Sequence, residues 1–411
     1  MNYKVSHPSK IVEGSVNLPA SKSISNRLLI IRELCETKFE IDNLSDSEDT
    51  QMLLKSLQNN SSTKNVGAAG TSFRFLTALL SITNGSWFLT GTKRMKERPI
   101  KPLVDALQKM GGDITYPEKT GFPPIEIRGN KLKGGKISIE ANISSQFISA
   151  LMMIAPRLEN GLRIKLNGKV VSIPYLQMTK ILLENFGISV EFNDDEIFIA
   201  NQTYQPKRIS VEKDWSAAAY FYSIATLAEK SEILFPAVAE KSIQGDSIIK
   251  NKMKDFGVES KFYKSALQIK RNQSPPKALK FNFQNHPDLA QTLAVVSAAL
   301  KIEGEFSGLT NLKIKETDRI FALKSELNKL DCTFEEIGKS WFLRTPKKAI
   351  FQNSIEIETY NDHRMAMAFA PLALKFPFVI IQNPSVVNKS FPGYWNALKR
   401  LGFCIEKIGE K

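Results

Sequence analysis

The chain has 411 residues, 42% hydrophobic and 24% charged, which is an ordinary globular composition and, at roughly 200 residues per core, enough for two domains. Its net charge of +14 points to anionic partners, but the lysines are scattered and no RNA-binding signature occurs, so small anionic metabolites are expected rather than nucleic acid. Three well-separated cysteines and three histidines exclude a disulfide framework and leave no zinc spacing; no apolar run approaches the ~20 residues of a membrane helix, and Met1 to Lys10 has no apolar signal core, so a cytoplasmic protein without metal or membrane association is expected.

The first helix is predicted over Ser21 to Cys35, opening with Ser21-Lys22-Ser23-Ile24-Ser25-Asn26-Arg27. A cap serine there precedes a lysine, and Ser23 and Arg27 share one face. A helix over Thr71 to Ile82 follows Gly67-Ala68-Ala69-Gly70, a small-residue loop whose amides can approach a phosphate or carboxylate, although a glycine turn explains it as well. Arg94 to Pro99 is a charge run of a kind that is normally solvated, with Arg98 fixed by the proline after it. Ser144-Ser145-Gln146 opens a helix over Ser145 to Ala155, and Ser172 and Tyr175 recur at the next. Hydroxyls beside free helix amides suit a phosphate monoester, but as caps they need no ligand.

Further helices are predicted over Trp215 to Ala228, Asp288 to Leu300 and His363 to Leu374. Asp288 stands at a helix start, where the macrodipole alone favours a carboxylate. Lys315-Glu316-Thr317-Asp318-Arg319 precedes the amphipathic run Ile320, Leu323, Leu327 and Leu330, with Thr317 or Asp318 as cap, and one helical turn is expected to present Lys315, Glu316 and Arg319 together. Cations at a helix start oppose the dipole unless an anion binds there; the alternative is a solvated turn with an internal salt bridge. Asp362-His363-Arg364 and Lys389-Ser390-Phe391-Pro392 close the series.

A repeat organises these pieces. Leu107 to Gly111, Leu183 to Gly187, Met253 to Gly257, Leu327 to Asp331 and Leu398 to Gly402 each end a helix on Gly, or once on Asp, and then enter a strand-like segment. Leu54 to Gln58 is a weaker copy, and the interval from it to the next is about 20 residues shorter than the others. Six such units, three to a domain with a break near Lys213, are expected to bury the Ala- and Leu-rich earlier helices and gather their polar starts at one end.

The motifs Ser21-Lys22-Ser23 through Arg27, Met95-Lys96-Glu97-Arg98-Pro99-Ile100, Ser144 to Phe147, Lys315 to Arg319, Asp362 to Met367 and Lys389 to Pro392, in this order, closely resemble the 5-enolpyruvylshikimate-3-phosphate synthases. The resemblance implies an α+β fold of two similar domains, each of three βαβαββ units around buried helices in an inverse α/β barrel arrangement. Residues 21–212 would form the first domain, with its first unit shortened, and residues 1–20 and 213–411 the second, joined by two crossovers acting as a hinge. It implies transfer of the enolpyruvyl group of phosphoenolpyruvate to the 5-hydroxyl of shikimate 3-phosphate, by addition and elimination in a cleft between closing domains, without a cofactor and in a monomer. It places shikimate 3-phosphate on Ser23, Arg27, Ser144, Ser145, Ser172, Tyr175, Asp288, Asn311 and Lys315. It places phosphoenolpyruvate on Lys22, Gly70, Arg98, Gln146, Arg319, Arg364 and Lys389, and proton transfer on Lys22, Asp288 and Glu316.

Departures from the family pattern are few. Ala68 stands for the usual Asn, Phe75 for Pro, Ile173 for Lys and Leu312 for Trp, and Asn59 to Asn65 stands where a strand pair is usual. The sister enzyme UDP-N-acetylglucosamine enolpyruvyl transferase needs a loop cysteine that has no counterpart near Arg98, and RNA 3'-terminal phosphate cyclase lacks these motifs. A paralogue that only binds a phosphorylated metabolite is the remaining alternative.

Overall fold

A computed structural model describes residues 1–142, 144–272, 278–346 and 354–409. The residues that close the repeated helices all adopt left-handed backbone: Gly111, Gly187, Gly257, Asp331 and Gly402 have φ of +96°, +78°, +79°, +55° and +89°. That conformation turns the chain out of each helix and back into a sheet, and glycine adopts it without steric cost. Asn59, after the weaker copy, is extended instead.

The chain gathers into two compact units, Ala20–Val211 and Met1–Pro19 with Glu212–Lys411, and so passes between them twice. The helices of Ala20–Val211 are α1 Lys22–Leu34, α2 Glu48–Gln58, α3 Gly70–Ser81, α4 Lys93–Lys96, α5 Lys101–Lys109, α6 Ser145–Ile154 and α7 Ile173–Asn185. The other unit holds α8 Trp215–Leu227, α9 Ile249–Lys252, α10 Ala290–Ala299, α11 Arg319–Asn328, α12 His363–Phe369 and α13 Tyr394–Arg400.

Among the described residues, five four-stranded sheets share one pattern, a parallel pair extended by two antiparallel strands. In one, Thr63–Asn65 runs parallel to Gly85–Thr90, which pairs antiparallel with Ile125–Gly129 and, through it, with Asp113–Thr115; Leu89 stands opposite Ile125. The sixth sheet has only a parallel pair, Ile41–Asp42 with Ile209–Ser210. The shortened unit is the reason: α2 ends at Gln58 and Thr63 already belongs to the next sheet, so no residues remain for an antiparallel hairpin.

Helices α10 and α12 are buried along their whole length, and α3, α6 and α8 at every residue except Thr71, Gln146 and Ser216. A helix that is apolar all round belongs inside a layer structure, and those three exceptions all lie in a first turn. On α3, α6 and α8 the partly exposed residues are therefore confined to the helix starts. Two of the expected helices are composite. A 3-10 turn Pro287–Leu289 precedes α10, and α12 gives way to a 3-10 turn Ala370–Leu374, where Pro371 supplies no N–H to continue the α ladder. Among the described residues no helix is long and apolar enough to cross a membrane.

Candidate active site

In the unit Ala20–Val211 the chemistry-bearing residues lie at the starts of α1, α3, α6 and α7, with Arg98 in the link between α4 and α5. Ser21 caps α1, its hydroxyl accepting from the amide of Ile24, and this leaves Lys22 and Ser23 in the first turn. The Lys22 ammonium donates to Asp49 Oδ2 at 2.9 Å, with Asp49 only 7% exposed. Arg27, one turn further, is 2% exposed and is held by neutral groups. Its Nε donates to Thr179 Oγ1 at 2.8 Å, one terminal nitrogen to the Ser23 carbonyl at 2.9 Å, and the other to Ser149 Oγ at 3.2 Å and the Tyr175 carbonyl at 3.3 Å. Burial pushes this guanidinium down to about 10, so it stays charged at neutral pH.

Gly70 opens α3 against the tips of two arginine side chains. A Cβ there would lie 2.4 Å from a terminal nitrogen of Arg98 and 2.7 Å from one of Arg74. Arg74 in turn donates to the Gly70 carbonyl at 2.8 Å. Two buried arginines thus crowd one helix start. Gln146, in the first turn of α6, donates to Thr71 Oγ1 at 3.0 Å, and Ser144 caps α6 through the Gln146 amide at 3.3 Å. Ser145 and Ser172 are buried, Ser172 with φ of +57° ahead of α7, and its side chain makes no cap bond.

In the other unit the starts of α10, α11 and α12 meet on Arg319, which is 1% exposed. Its Nε donates to Asp362 Oδ2 at 2.6 Å, and its terminal nitrogens to Asp288 Oδ1 at 3.1 Å and Glu316 Oε2 at 2.8 Å. Burial pulls this guanidinium down, but Asp362, Glu316 and Asp288 outweigh it and hold the group above its ordinary value. Arg364 reaches Asp288 Oδ2 at 2.8 Å and donates to Tyr220 Oη at 3.2 Å; Lys389 lies 3.8 Å from Glu316 Oε1. Burial pushes the Asp288 carboxyl up, yet Arg364, Arg319 and Lys315 together hold it well below the usual carboxylate range. Asp288 is an anion, pinned at both oxygens by guanidinia.

Residues 315–318 do not continue a helical turn, contrary to expectation. Lys315 is extended after the 3-10 turn Thr310–Ile314, and Asp318 caps α11 by accepting from Ile320 and Phe321 at 3.1 and 3.0 Å. Glu316 therefore reaches Arg319 across a bend. Asn311 lies in the 3-10 turn beside α11, and no hydrogen bond ties its side chain to the carboxylate cluster among the described residues.

Several participants carried no sequence signal of their own. Asp49 reads as an ordinary first-turn acid of α2, and Thr179 and Ser149 as hydroxyls inside apolar helical runs, where only a polar residue in a fully buried stretch hints at a partner. Asp246 is the clearest case. It is 3% exposed, accepts from the Ser216 hydroxyl, and leaves Oδ1 with no hydrogen bond among the described residues. Burial and the Asp288 charge push its carboxyl up to about 7.

The sequence profile of EPSP synthase (3-phosphoshikimate 1-carboxyvinyltransferase) matches residues 6–60 and 54–398. A 3-phosphoshikimate 1-carboxyvinyltransferase of Bacteroides fragilis strain YCH46 is 44% identical over the full length of both chains, and one of Actinobacillus pleuropneumoniae serotype 3 is 37% identical over 96% of this chain and 98% of the other. Among solved structures, EPSP synthase of Acinetobacter baumannii aligns with a TM-score of 0.78 at 20% identity, covering 99% of this chain and all of that one. The enolpyruvyl transferase NikO of Streptomyces tendae aligns with a TM-score of 0.76 at 12% identity, covering 98% of each. Those two likenesses speak to the fold, whereas the profile and the full-length relatives speak to descent: the chain belongs to the EPSP synthase (3-phosphoshikimate 1-carboxyvinyltransferase) family.

Proposed function

We propose that the charged helix starts of both units act on one pair of substrates. As a member of its family the chain transfers the enolpyruvyl group of phosphoenolpyruvate to shikimate 3-phosphate in the shikimate pathway. In our reading Ser23, Arg27, Ser144, Ser145, Ser172, Tyr175, Asp288, Asn311 and Lys315 hold shikimate 3-phosphate, and Lys22, Gly70, Arg98, Gln146, Arg319, Arg364 and Lys389 hold phosphoenolpyruvate. The observation that carries it is Asp288, an ionised carboxylate held between the guanidinia of Arg319 and Arg364.

The chemistry asks for this arrangement. The 5-hydroxyl loses a proton as its oxygen bonds to C2 of phosphoenolpyruvate, while C3 gains a proton and becomes methyl. Loss of a C3 proton then restores the vinyl group and breaks the C2–O bond to phosphate. One base beside the hydroxyl and one acid that returns as a base are needed, and Asp288, Glu316 and Lys22 have the required groups. Pinned by two cations, Asp288 is a weak base. An incoming phosphate and carboxylate compete for Arg319 and Arg364, and each cation they draw off raises the basicity of Asp288 at the moment it is needed. Catalysis in this scheme uses side chains alone, in a monomer located in the cytoplasm.

The test is release of inorganic phosphate, with mass detection of the enolpyruvyl product. Turnover with both substrates and none with either alone is expected. Binding of shikimate 3-phosphate without turnover would leave the paralogue that merely binds a metabolite.

A further inference from the structure

The buried guanidinia of the two units are balanced in different ways. Arg319 and Arg364 lie against carboxylates. Arg27, no less buried, has no carboxylate within ion-pair distance among the described residues, and its hydrogen bonds go to the hydroxyls of Thr179 and Ser149 and to two carbonyls. What faces it instead is an aromatic ring. The guanidinium carbon of Arg27 lies 5.4 Å from the centroid of Phe75, and Phe75 is fully buried on α3. Arg74 repeats the arrangement 5.6 Å from the ring of Phe147.

The choice of partner matters for an arginine that must receive an anion. A carboxylate would anchor the guanidinium but cancel its charge and repel an incoming phosphate. An aromatic face attracts the cation through its quadrupole and carries no net charge, so the full positive charge stays available. Burial of both groups strengthens this attraction, because no water competes for the cation. The Thr179 and Ser149 hydroxyls fix where the planar group points; the ring offsets part of the cost of holding it out of water.

We propose that Phe75 is a positioning residue for this reaction: its ring face holds the Arg27 guanidinium, uncompensated by any carboxylate among the described residues, for the anionic substrate shikimate 3-phosphate. The proposal rests on the reading of Arg27 as a ligand of shikimate 3-phosphate.

The experiment replaces Phe75 in the full chain with 4-fluoro-, 3,5-difluoro- and 3,4,5-trifluorophenylalanine, and separately with Leu. Each fluorine withdraws charge from the ring face while shape and packing change little, so a purely structural role does not respond. Phosphate release is followed with each substrate varied in turn, alongside the thermal unfolding midpoint. The expected result is a stepwise rise in KM for shikimate 3-phosphate, reaching about tenfold in the trifluoro variant, with kcat and KM for phosphoenolpyruvate within about twofold. Phe75→Leu is expected to match the trifluoro variant, and if it fails to fold the fluorinated series decides. A flat KM across the series overturns the proposal, whatever Leu does. Arg27→Gln separates the two levels: a large rise in KM for shikimate 3-phosphate with a flat fluorine series sinks the role of the ring alone, whereas an unchanged KM in folded Arg27→Gln sinks the reading of Arg27 and the proposal with it.

Discussion

Arg319 and Asp288 carry opposite charges under different obligations. Arg319 is satisfied by three carboxylates, whereas Asp288 divides its two oxygens between Arg319 and Arg364. Asp288→Asn is expected to lower kcat by about 10²- to 10⁴-fold, the usual worth of a positioned base, as read by phosphate release at saturating substrates. Gly70→Ala belongs to this scale too. The added methyl would meet the tips of Arg98 and Arg74, which are flexible and can withdraw, so the fold should persist while the guanidinia move. KM for phosphoenolpyruvate should rise about ten- to a hundredfold, the equivalent of one charge-assisted hydrogen bond, with the unfolding midpoint nearly unchanged. Asp246 gives a pH test. Its carboxyl sits at about 7 when folded against an ordinary 3.8, so the unfolded chain ionises first and stability falls as pH rises from about 4 to about 7. Asp246→Asn should therefore be neutral below pH ~4 and stabilising above pH ~7, by on the order of 2–4 kcal/mol in denaturant unfolding.

At the scale of the element, capping decides which side chains are free to act. Asp318 spends its carboxylate on the amides of Ile320 and Phe321, which stops α11 from extending back through Glu316 and frees Glu316 for Arg319. Asp318→Ala should cost about 1 kcal/mol in urea unfolding, and should lower activity as well if the bend at Glu316 relaxes. The repeated helix closure gives a converse case. Asp331 holds φ of +55° where its counterparts in the repeat are glycines, so Asp331→Gly should stabilise the chain by about 0.5–1 kcal/mol after the extra unfolded-state freedom of glycine is deducted. The motif spacing showed where helices begin and end, and the closing residues behave as their chemistry requires. What spacing misjudged was the start of α11, because a helical turn and a capped bend place Glu316 and Arg319 within reach of each other equally well.

For the molecule as a whole, the net charge of +14 and the distribution of cations over both units set the behaviour. Lys22, Arg27 and Arg98 stand in one unit and Arg319, Arg364 and Lys389 in the other, all assigned here to two phosphorylated acids. Adding both substrates should then shrink the radius of gyration measured by X-ray scattering, and an unchanged profile would overturn the view that both units serve one substrate pair. The loss of the hairpin from the first unit leaves the parallel pair Ile41–Asp42 with Ile209–Ser210, latched by Arg208 on Asp42 at 2.7 and 2.9 Å. None of the residues assigned to substrate lies on that pair, so the chemistry survives a trimmed sheet.

The amino-acid sequence by itself determined the alternation of helices and strands, the closers of the repeat, the shortened unit and the identity of the residues at each helix start. All of these are local properties, legible from periodicity, capping and motif order. Only the tertiary structure decided how each charge is balanced. Glu316 announces one partner of Arg319 from three residues away, but Arg319 meets Asp362 across 43 residues and Arg27 meets Thr179 across 152, and nothing local announces those partners or the ring that faces Arg27. Desolvation and pairing depend on packing between distant segments, so the electrostatics of the site is a property of the fold.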